Sequence, residues 1–235
     1  MPALPLTFGC HLPMFGPIAT RGNVLAFART MEALGYESLW ASDHVVLPYS
    51  IKSKYPYNSS GQFPLPPTSA FLEPLTTLAL VAGVTERARL GTSILVLPHR
   101  HPVLAAKTLA TLDHLAEGRV ILGVGVGWMR EEIEILGGNY DRRGAWSDEA
   151  IRIMRACWSQ ERARYRGNSS PSTRSVWCPS RCARPSPSGW AAIPRGRCAA
   201  WPSWATAGMP RSRRRTRSSA TSRGSAPNAR RSTVG

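Results

Sequence analysis

The chain has 235 residues, of which 43% are hydrophobic, so it is long and apolar enough for one large folded domain and is not a disordered protein as a whole. The net charge of +16 belongs almost entirely to one end: residues 1–167 carry 17 basic and 14 acidic side chains, whereas residues 168–235 carry 13 basic and none acidic. We expect no secretory signal and no membrane helix, because no apolar run approaches ~18–20 residues. Five irregularly spaced cysteines argue against a disulfide scaffold or a metal site.

Residues 1–167 alternate between predicted strands and predicted helices. Val24, Phe27 and Met31 follow helical spacing, and Pro102 and Gly118 mark the two ends of a later helix. The strands are expected at 6–12, 38–41, 89–97 and 119–125, the helices at 23–34, 71–83, 102–116 and 147–159 (the last capped by Ser147), and a long loop rich in Pro, Ser and Tyr at 42–69. A loop of that length is usually functional or disordered.

This alternation with apolar strands predicts an α/β fold with a parallel sheet. About four strand–helix units of ~40 residues correspond to the first half of a (β/α)8 barrel of the TIM-barrel type, which typically has ~250 residues. A doubly wound sheet is the rival. Its dinucleotide fingerprint fits poorly, because the turn Gly123–Gly127 follows the fourth strand and Trp128 stands where the third glycine belongs.

The tail, residues 168–235, has an unusual composition of 14 Ser, 13 Arg, 8 Pro and 4 Trp, without Leu, Phe or acidic residues. It fits neither a globular segment nor an ordinary disordered one. It is typical of GC-rich coding DNA read in the wrong frame. Since the Trp codon ends in G, a one-base shift turns Trp177-Cys178 into Val and Trp190-Ala191 into Gly, and the neighbouring codons permit Ile-Trp-Val-Gly-Gly and Leu-Gly-Asp-Gly-Trp. We predict a frameshift near residue 167 and a tail without a stable fold; a genuine basic tail is the alternative.

In a (β/α)8 barrel the functional residues lie at the C-terminal ends of the strands. Those ends hold Cys10-His11, Ser42-Asp43-His44, Thr92-Ser93-Ile94 and Gly125-Val126-Gly127-Trp128. Asp43 and His44 form the sharpest pair, either as an oriented general acid or base or as a backbone cap beside a solvated histidine. The glycines suit close approach of a phosphate or ring, or only a tight turn. Trp128 either stacks on a flat cofactor or roofs the barrel.

Three further groups of charged or polar side chains are expected at the surface rather than in a site. They are the turn His99-Arg100-His101, the helix face with Glu131, Glu132 and Glu134, and the pair Arg142-Arg143. A metal site at the two histidines and a phosphate site at the arginine pair are the less favoured alternatives.

Three stretches carry a resemblance to a known family. "ALGYESLWASDHV", "RLGTSILVLPHRHPVLAAKTLATLDHLAEGRVILGVGVGWMREE" and "RGAWSDEAI" resemble the luciferase-like flavin-dependent oxidoreductases, and within them the branch that depends on the deazaflavin coenzyme F-420. The resemblance covers roughly residues 5–167, and the shifted-frame words resemble the segments that follow in this family. It implies a (β/α)8 barrel with insertions.

The resemblance implies either coenzyme F-420 hydride transfer or oxidation with reduced FMN and oxygen, on a small organic substrate. It assigns His44 as the acid/base or substrate-orienting group beside Asp43, and a non-prolyl cis peptide at Ser93-Ile94. The cofactor-binding positions it implies are His11, Thr92, Ser93, Ile94, Gly125, Val126, Gly127 and Trp128. Some F-420 dehydrogenases of the family carry Thr and a catalytic Glu where Val126 and Trp128 stand here, which puts sugar-phosphate dehydrogenation in doubt.

We therefore expect a cytoplasmic oxidoreductase, homodimeric if its barrel were complete, with no specific nucleic-acid partner. The family's phosphate-binding groups come from the second half of the barrel, so the chain as encoded is expected to be inactive. A monooxygenase of the alkanesulfonate type that uses reduced FMN is the first alternative. The second is a nucleic-acid binder that acts through the tail. The tail has no lysine and no motif of a nucleic-acid-binding module, which argues against this alternative.

Overall fold

The computed structural model describes residues 6–167 and, beyond them, the backbone of residues 176–179. The strands are β1 (Gly9–His11), β2 (Ser38–Ala41), β3 (Arg89–Thr92), β4 (Leu95–Val96), β5 (Val120–Ile121), β6 (Val124–Gly125), β7 (Arg162–Tyr165) and β8 (Val176–Pro179). The helices are α1 (Arg21–Ala33), α2 (Pro74–Ala82), α3 (Pro102–Leu115), α4 (Arg130–Ile135) and α5 (Arg143–Ser159). The remaining part of the predicted tail lies outside the described residues.

The main sheet is parallel and its strands follow one another in chain order, β1-β2-β3-β5. In the register, Trp40 pairs with both His11 and Gly91, and Gly91 pairs with Ile121. Beyond β3 and β5 the chain continues as β4 and β6, which also pair in parallel. Successive parallel strands joined by helices are the first half of a barrel, so the predicted fold class is confirmed.

Strands three and four are each broken in two, which the sequence did not predict. Between β3 and β4 the Ser93-Ile94 peptide bond is cis, as the resemblance implied. Beside this break the Thr92 hydroxyl donates to the Gly123 carbonyl at 2.7 Å and accepts from the Gly123 N–H at 3.0 Å. The buried hydroxyl thus replaces the backbone hydrogen bonds that the break removes from the sheet.

Helices α1 and α5 both begin earlier in the chain than the sequence predicts. Helix α1 begins at Arg21, two residues before the predicted start, because the Thr20 hydroxyl caps it by accepting from the Asn23 N–H. Helix α5 begins at Arg143 rather than Ser147. The predicted Ser147 cap is wrong, since that hydroxyl donates to the Arg143 carbonyl one turn back inside the helix.

The core lies between the helices and the outer face of the sheet, where Leu39, Leu78 and Leu90 are fully buried. Leu109, Leu112 and Ala116 belong to this core, whereas Leu115 is exposed. Because Leu39 points to the helices, its neighbours Ser38 and Trp40 face the barrel interior, where the Trp40 indole donates to the Ser38 hydroxyl at 2.9 Å.

Trp40 lies flat across this inner face. A side-chain carbon on Gly9 or Gly91 would collide with its ring, so both flanking strands need glycine at that level. In the part of the chain that the structure describes, no helix has the length and apolar character needed to cross a bilayer.

Two leucines of α3 test the assignment of its buried face. Leu109 is 3% exposed in the core, whereas Leu104 on the same helix is 64% exposed. We expect Leu109→Ala to lower the free energy of unfolding by about 2–5 kcal/mol, because it removes buried methyl groups and leaves a cavity. Leu104→Ala should change it by less than about 0.5 kcal/mol. Urea denaturation measures both, and equal losses would show that the helix is rotated.

Candidate active site

His44 lies at the C-terminal edge of the sheet, three residues past β2, at the start of the long loop. Its ring is surrounded by aromatic side chains, with ring centroids at 5.0 Å for Phe63, 5.2 Å for Phe71 and 6.2 Å for Trp128. On its other side Nδ1 lies 2.7 Å from Oε2 of Glu132. The imidazole is therefore largely buried and oriented, and is not the solvated loop residue of the alternative interpretation.

Glu132 is a buried carboxylate, 1% exposed, in the first turn of α4. Its Oε1 accepts hydrogen bonds from the backbone N–H groups of Val45 at 2.6 Å and Val46 at 3.1 Å. Burial alone would raise the pKa of Glu132, but the His44 hydrogen bond, the neighbouring histidines and the Val45 N–H hold it below its ordinary value. The prediction of a solvated glutamate face is wrong at this position.

The neighbouring Glu131 anchors the same loop farther along. Its carboxylate accepts from the backbone N–H groups of Lys52 at 2.7 Å and Ser53 at 3.0 Å, and from the Ser53 hydroxyl at 2.7 Å. Glu134 behaves as predicted, since it is exposed and pairs with Arg130. Two adjacent glutamates thus hold the loop that begins at residue 42 against α4.

Asp43 is fully buried and does not contact the His44 ring through a hydrogen bond. Its carboxylate accepts hydrogen bonds from the two terminal guanidinium nitrogens of Arg100, at 2.6 and 2.9 Å, and from the backbone N–H of Val96 at 2.8 Å. Arg100 also donates to Glu73 at 2.8 Å. The adjacent Asp43 and His44 are therefore not a hydrogen-bonded dyad: Asp43 fixes the backbone around the site, and the carboxylate on His44 comes from Glu132.

His99 lies between these two carboxylates and is 2% exposed. Its Nε2 is 3.7 Å from Glu132 and its Nδ1 is 4.0 Å from Asp43, and Nδ1 has no hydrogen-bond partner among the described residues. Burial lowers the pKa of His99 below its ordinary value, although the two carboxylates oppose this shift. The expected basic surface turn at residues 99–101 is wrong, because both His99 and Arg100 point into the protein.

The long loop folds over the site with its aromatic side chains. Tyr55 packs on Trp128 at 5.1 Å and on Phe63 at 5.3 Å, and Phe63 contacts Trp128 at 5.5 Å. Trp128 is half-buried under this loop. This favours the interpretation in which Trp128 covers the end of the barrel over the one in which its ring stacks on a flat cofactor. The aromatic side chains of the loop and Trp128 consequently form one cluster beside His44.

The other predicted cofactor positions fall into two groups. His11, at the end of β1, and Ser93, at the break after β3, are exposed. Thr92 is buried, and its hydroxyl is occupied by Gly123. It therefore supports the strand ends and does not reach the open face.

The glycine turn after β6 is shaped by its neighbours. Ile94 and the residues Gly125 to Trp128 are half-buried, and a side-chain carbon on Gly125 would overlap Ile94. Gly127 has a φ of 77°, a conformation that favours glycine. Its carbonyl accepts from Arg143 Nε at 3.2 Å, so this arginine, predicted at the surface, packs beneath the turn. Within residues 6–167 no group of three His, Cys, Asp or Glu side chains is arranged to hold a metal ion.

Comparison with known proteins places this geometry in context. The family model described as "Luciferase-like monooxygenase" matches residues 5–220, a range that extends from the described residues into the tail. Among curated proteins, the chain is 31% identical to an F420-dependent glucose-6-phosphate dehydrogenase of Amycolatopsis mediterranei, over 70% of this chain and 45% of that protein. It is 36% identical to a phthiodiolone/phenolphthiodiolone dimycocerosates ketoreductase of Mycobacterium bovis, over 54% of this chain and 33% of the other.

Solved structures show the same architecture at lower identity. An F420-dependent secondary alcohol dehydrogenase in complex with an F420-acetone adduct has a TM-score of 0.57 and 19% identity, over 80% of this chain and 52% of that one. The oxygenating constituent of 3,6-diketocamphane monooxygenase of Pseudomonas putida, in complex with FMN, has a TM-score of 0.56 and 20% identity, over 75% and 44%. These likenesses show the fold alone. The chain spans about half the length of the curated relatives it matches, for example 50% of a Mycobacterium tuberculosis protein that is 34% identical over 60% of this chain.

The buried neutral His99 predicts how stability depends on pH. Its folded-state pKa is lowered, so below the ordinary imidazole value of ~6.5 the unfolded chain binds the extra proton. The contribution is complete above that value and is lost as the pH falls, with a limit of about 1.4 kcal/mol per pH unit. Glu73 and Glu132 have lowered pKa values and lose theirs only at more acidic pH.

We therefore expect His99→Gln to flatten the fall in unfolding free energy between about pH 7.5 and pH 5.5. Urea denaturation at several pH values in this window measures it. His114→Gln, at an exposed histidine of α3, is the control and should leave the slope unchanged. An unaltered slope in His99→Gln would contradict the assignment.

Proposed function

The chain belongs to the luciferase-like monooxygenase family, and we propose that it is the N-terminal half of an oxidoreductase that acts on a small organic substrate with a flavin-type cofactor. Hydride transfer with coenzyme F-420 is the favoured activity, because the curated relatives include a dehydrogenase named for that coenzyme, which is 31% identical to this chain. The alternative is a monooxygenase that uses reduced FMN. Sugar phosphates are the less favoured substrate class, since Val126 and Trp128 stand where some F-420 dehydrogenases of the family carry Thr and a catalytic Glu.

The observation that carries this proposal is the oriented imidazole at the strand ends. His44 has one ring nitrogen occupied by a buried carboxylate and its other ring nitrogen without a hydrogen-bond partner among the described residues. Aromatic rings border the imidazole, and we propose that the substrate pocket lies beside them. An imidazole held in this way is suited to general acid–base catalysis on a hydroxyl or carbonyl group.

The residues around this pocket fit a flat, partly polar ring system. The exposed Ser93 lies next to the half-buried, apolar Ile94, so a polar and an apolar side chain stand side by side at the end of the third strand. We propose that His11, Ser93, Ile94 and the turn Gly125-Val126-Gly127-Trp128 hold the cofactor, with Thr92 supporting the strand beneath. When bound, coenzyme F-420 would accept or supply a hydride, and FMN would supply oxygen chemistry.

Each member of the buried network has a defined task in this proposal. His44 exchanges a proton with the substrate oxygen. Asp43 and Arg100 hold the loop that carries His44, because their salt bridge joins the residues after β2 to those after β4. The aromatic rings of Phe63 and Trp128 exclude water, which strengthens the electrostatic interactions inside the pocket.

We further propose that residues 1–167 are the folded half barrel and that residues 168–235 are a frameshifted sequence. Except for the backbone of 176–179, the tail lies outside the described residues. Residues 176–179 form a strand antiparallel to β7. The composition of the tail and the half-length match to the relatives support this division. A cytoplasmic location, a homodimeric complete barrel and the absence of a nucleic-acid partner remain predictions.

The frameshift is tested first at the DNA level. Sequencing the source genome across codons 160–175 should reveal an added or missing base, with the shifted frame reading on through Ile-Trp-Val-Gly-Gly. The protein with the restored frame should turn over substrates with F-420 or FMN, and the 235-residue chain should show no measurable turnover under the same conditions. An intact frame together with an active 235-residue chain would contradict this division of the chain.

The catalytic role of His44 is tested in the protein with the restored frame. We expect His44→Gln to lower kcat by on the order of 10²–10⁴, because it removes the group that exchanges the proton. His114→Gln, at the far end of α3 from the pocket, is the matched control and should retain full activity. Wild-type turnover by His44→Gln would eliminate His44 as the acid or base.

A further inference from the structure

We infer that Glu132 is the positioning residue of His44: its carboxylate fixes the imidazole as the tautomer protonated at Nδ1, which leaves Nε2 unprotonated toward the aromatic pocket. This inference rests on the proposed role of His44 for its consequence in catalysis. Its structural basis is independent of that role, because it concerns only which ring nitrogen carries the proton.

The two oxygens of Glu132 have separate partners, and this division settles the direction of the hydrogen bond. Oε1 accepts from the backbone N–H groups of Val45 and Val46, two donors that hold the carboxylate in one orientation. Oε2 is then aimed at His44 Nδ1 at 2.7 Å. Because an ionised carboxylate can only accept, Nδ1 must donate and must carry the proton.

The other charged groups near His44 leave this arrangement unopposed. His99 approaches the same Oε2 with Nε2 at 3.7 Å, which is too long for a hydrogen bond. Asp43 is saturated by Arg100 and the Val96 N–H. The aromatic side chains that border the His44 ring, Phe63, Phe71 and Trp128, carry no charge.

Replacing Glu132 by glutamine should reverse the tautomer while keeping the shape. The amide oxygen is required by the Val45 and Val46 N–H groups, since turning the amide round would oppose its NH₂ to two N–H donors. The NH₂ group therefore faces His44 Nδ1 and donates to it. Nδ1 must then be unprotonated, and the proton moves to Nε2, where it blocks the lone pair that a general base needs.

The test is nitrogen-15 NMR of the full 235-residue chain with labelled histidine. Magic-angle spinning of sedimented protein makes the measurement independent of solubility. The pair of ring-nitrogen signals that disappears in His44→Gln identifies His44 among the five histidines. On the alkaline side of its titration, wild-type His44 should be protonated at Nδ1, and Glu132→Gln should be protonated at Nε2. Glu131→Gln is the matched control, because the neighbouring carboxylate holds the same loop without touching a histidine.

The wild-type spectrum alone can overturn the inference, so it remains testable if Glu132→Gln fails to fold. A neutral wild-type His44 protonated at Nε2, a mixture of tautomers, or a reversal that Glu131→Gln also produces would each refute it. Failure of the proposed catalytic role would be seen differently, as full turnover by His44→Gln in the protein with the restored frame while the tautomer still reverses in Glu132→Gln.

Discussion

The salt bridge between Asp43 and Arg100 is the interaction on which the candidate site depends. Both groups are removed from water, and a buried charge is tolerated only where a partner and hydrogen bonds compensate its desolvation. Here the Arg100 guanidinium donates to the Asp43 carboxylate through both terminal nitrogens and also donates to Glu73. One arginine therefore connects the ends of strands two and three with the start of α2. Removing either partner would leave an uncompensated charge inside the loop layer that carries His44, so the site and the local fold are energetically coupled.

Glu132 applies the same constraint from the opposite side. Its carboxylate serves the backbone just after His44 and the ring itself, so the conformation of the loop and the orientation of the imidazole are set by one group. Together, Asp43 and Glu132 enclose His99, whose environment favours the uncharged ring. The candidate site thus contains the buried carboxylates of Asp43 and Glu132 with His99 between them, and aromatic side chains pack beside His44.

The sequence predicted the architecture better than it predicted the site. Periodicity and breaker residues located the four parallel strands and the ranges of four α-helices, but not β7 and β8, because those signals arise from burial on the faces of single elements. The breaks after Thr92 and Ile121 were missed, since the hydroxyl that compensates them acts across two strands. Glu132 was assigned to the surface because glutamate is rarely buried without a partner, and its partners lie 86–88 residues away. One local signal existed: in α4 it lies three residues after the buried Met129 and directly before the buried Ile133, on the inward side of the helix.

The incomplete pairing of the sheet supports the proposal that this chain lacks catalytic activity. Within the described residues β1 and β5 are each paired on one side only, and Trp40 covers an inner face that a closed barrel would enclose. In a closed barrel every strand is paired and the interior is filled by side chains from all strands. His44 and its buried carboxylate can therefore be fully assembled by the first half, because their contacts come from strands two to four. In the proposed division of the chain, the groups that would hold a cofactor tail come from the second half of the barrel, so orienting the His44 imidazole and binding a cofactor depend on different parts of the fold.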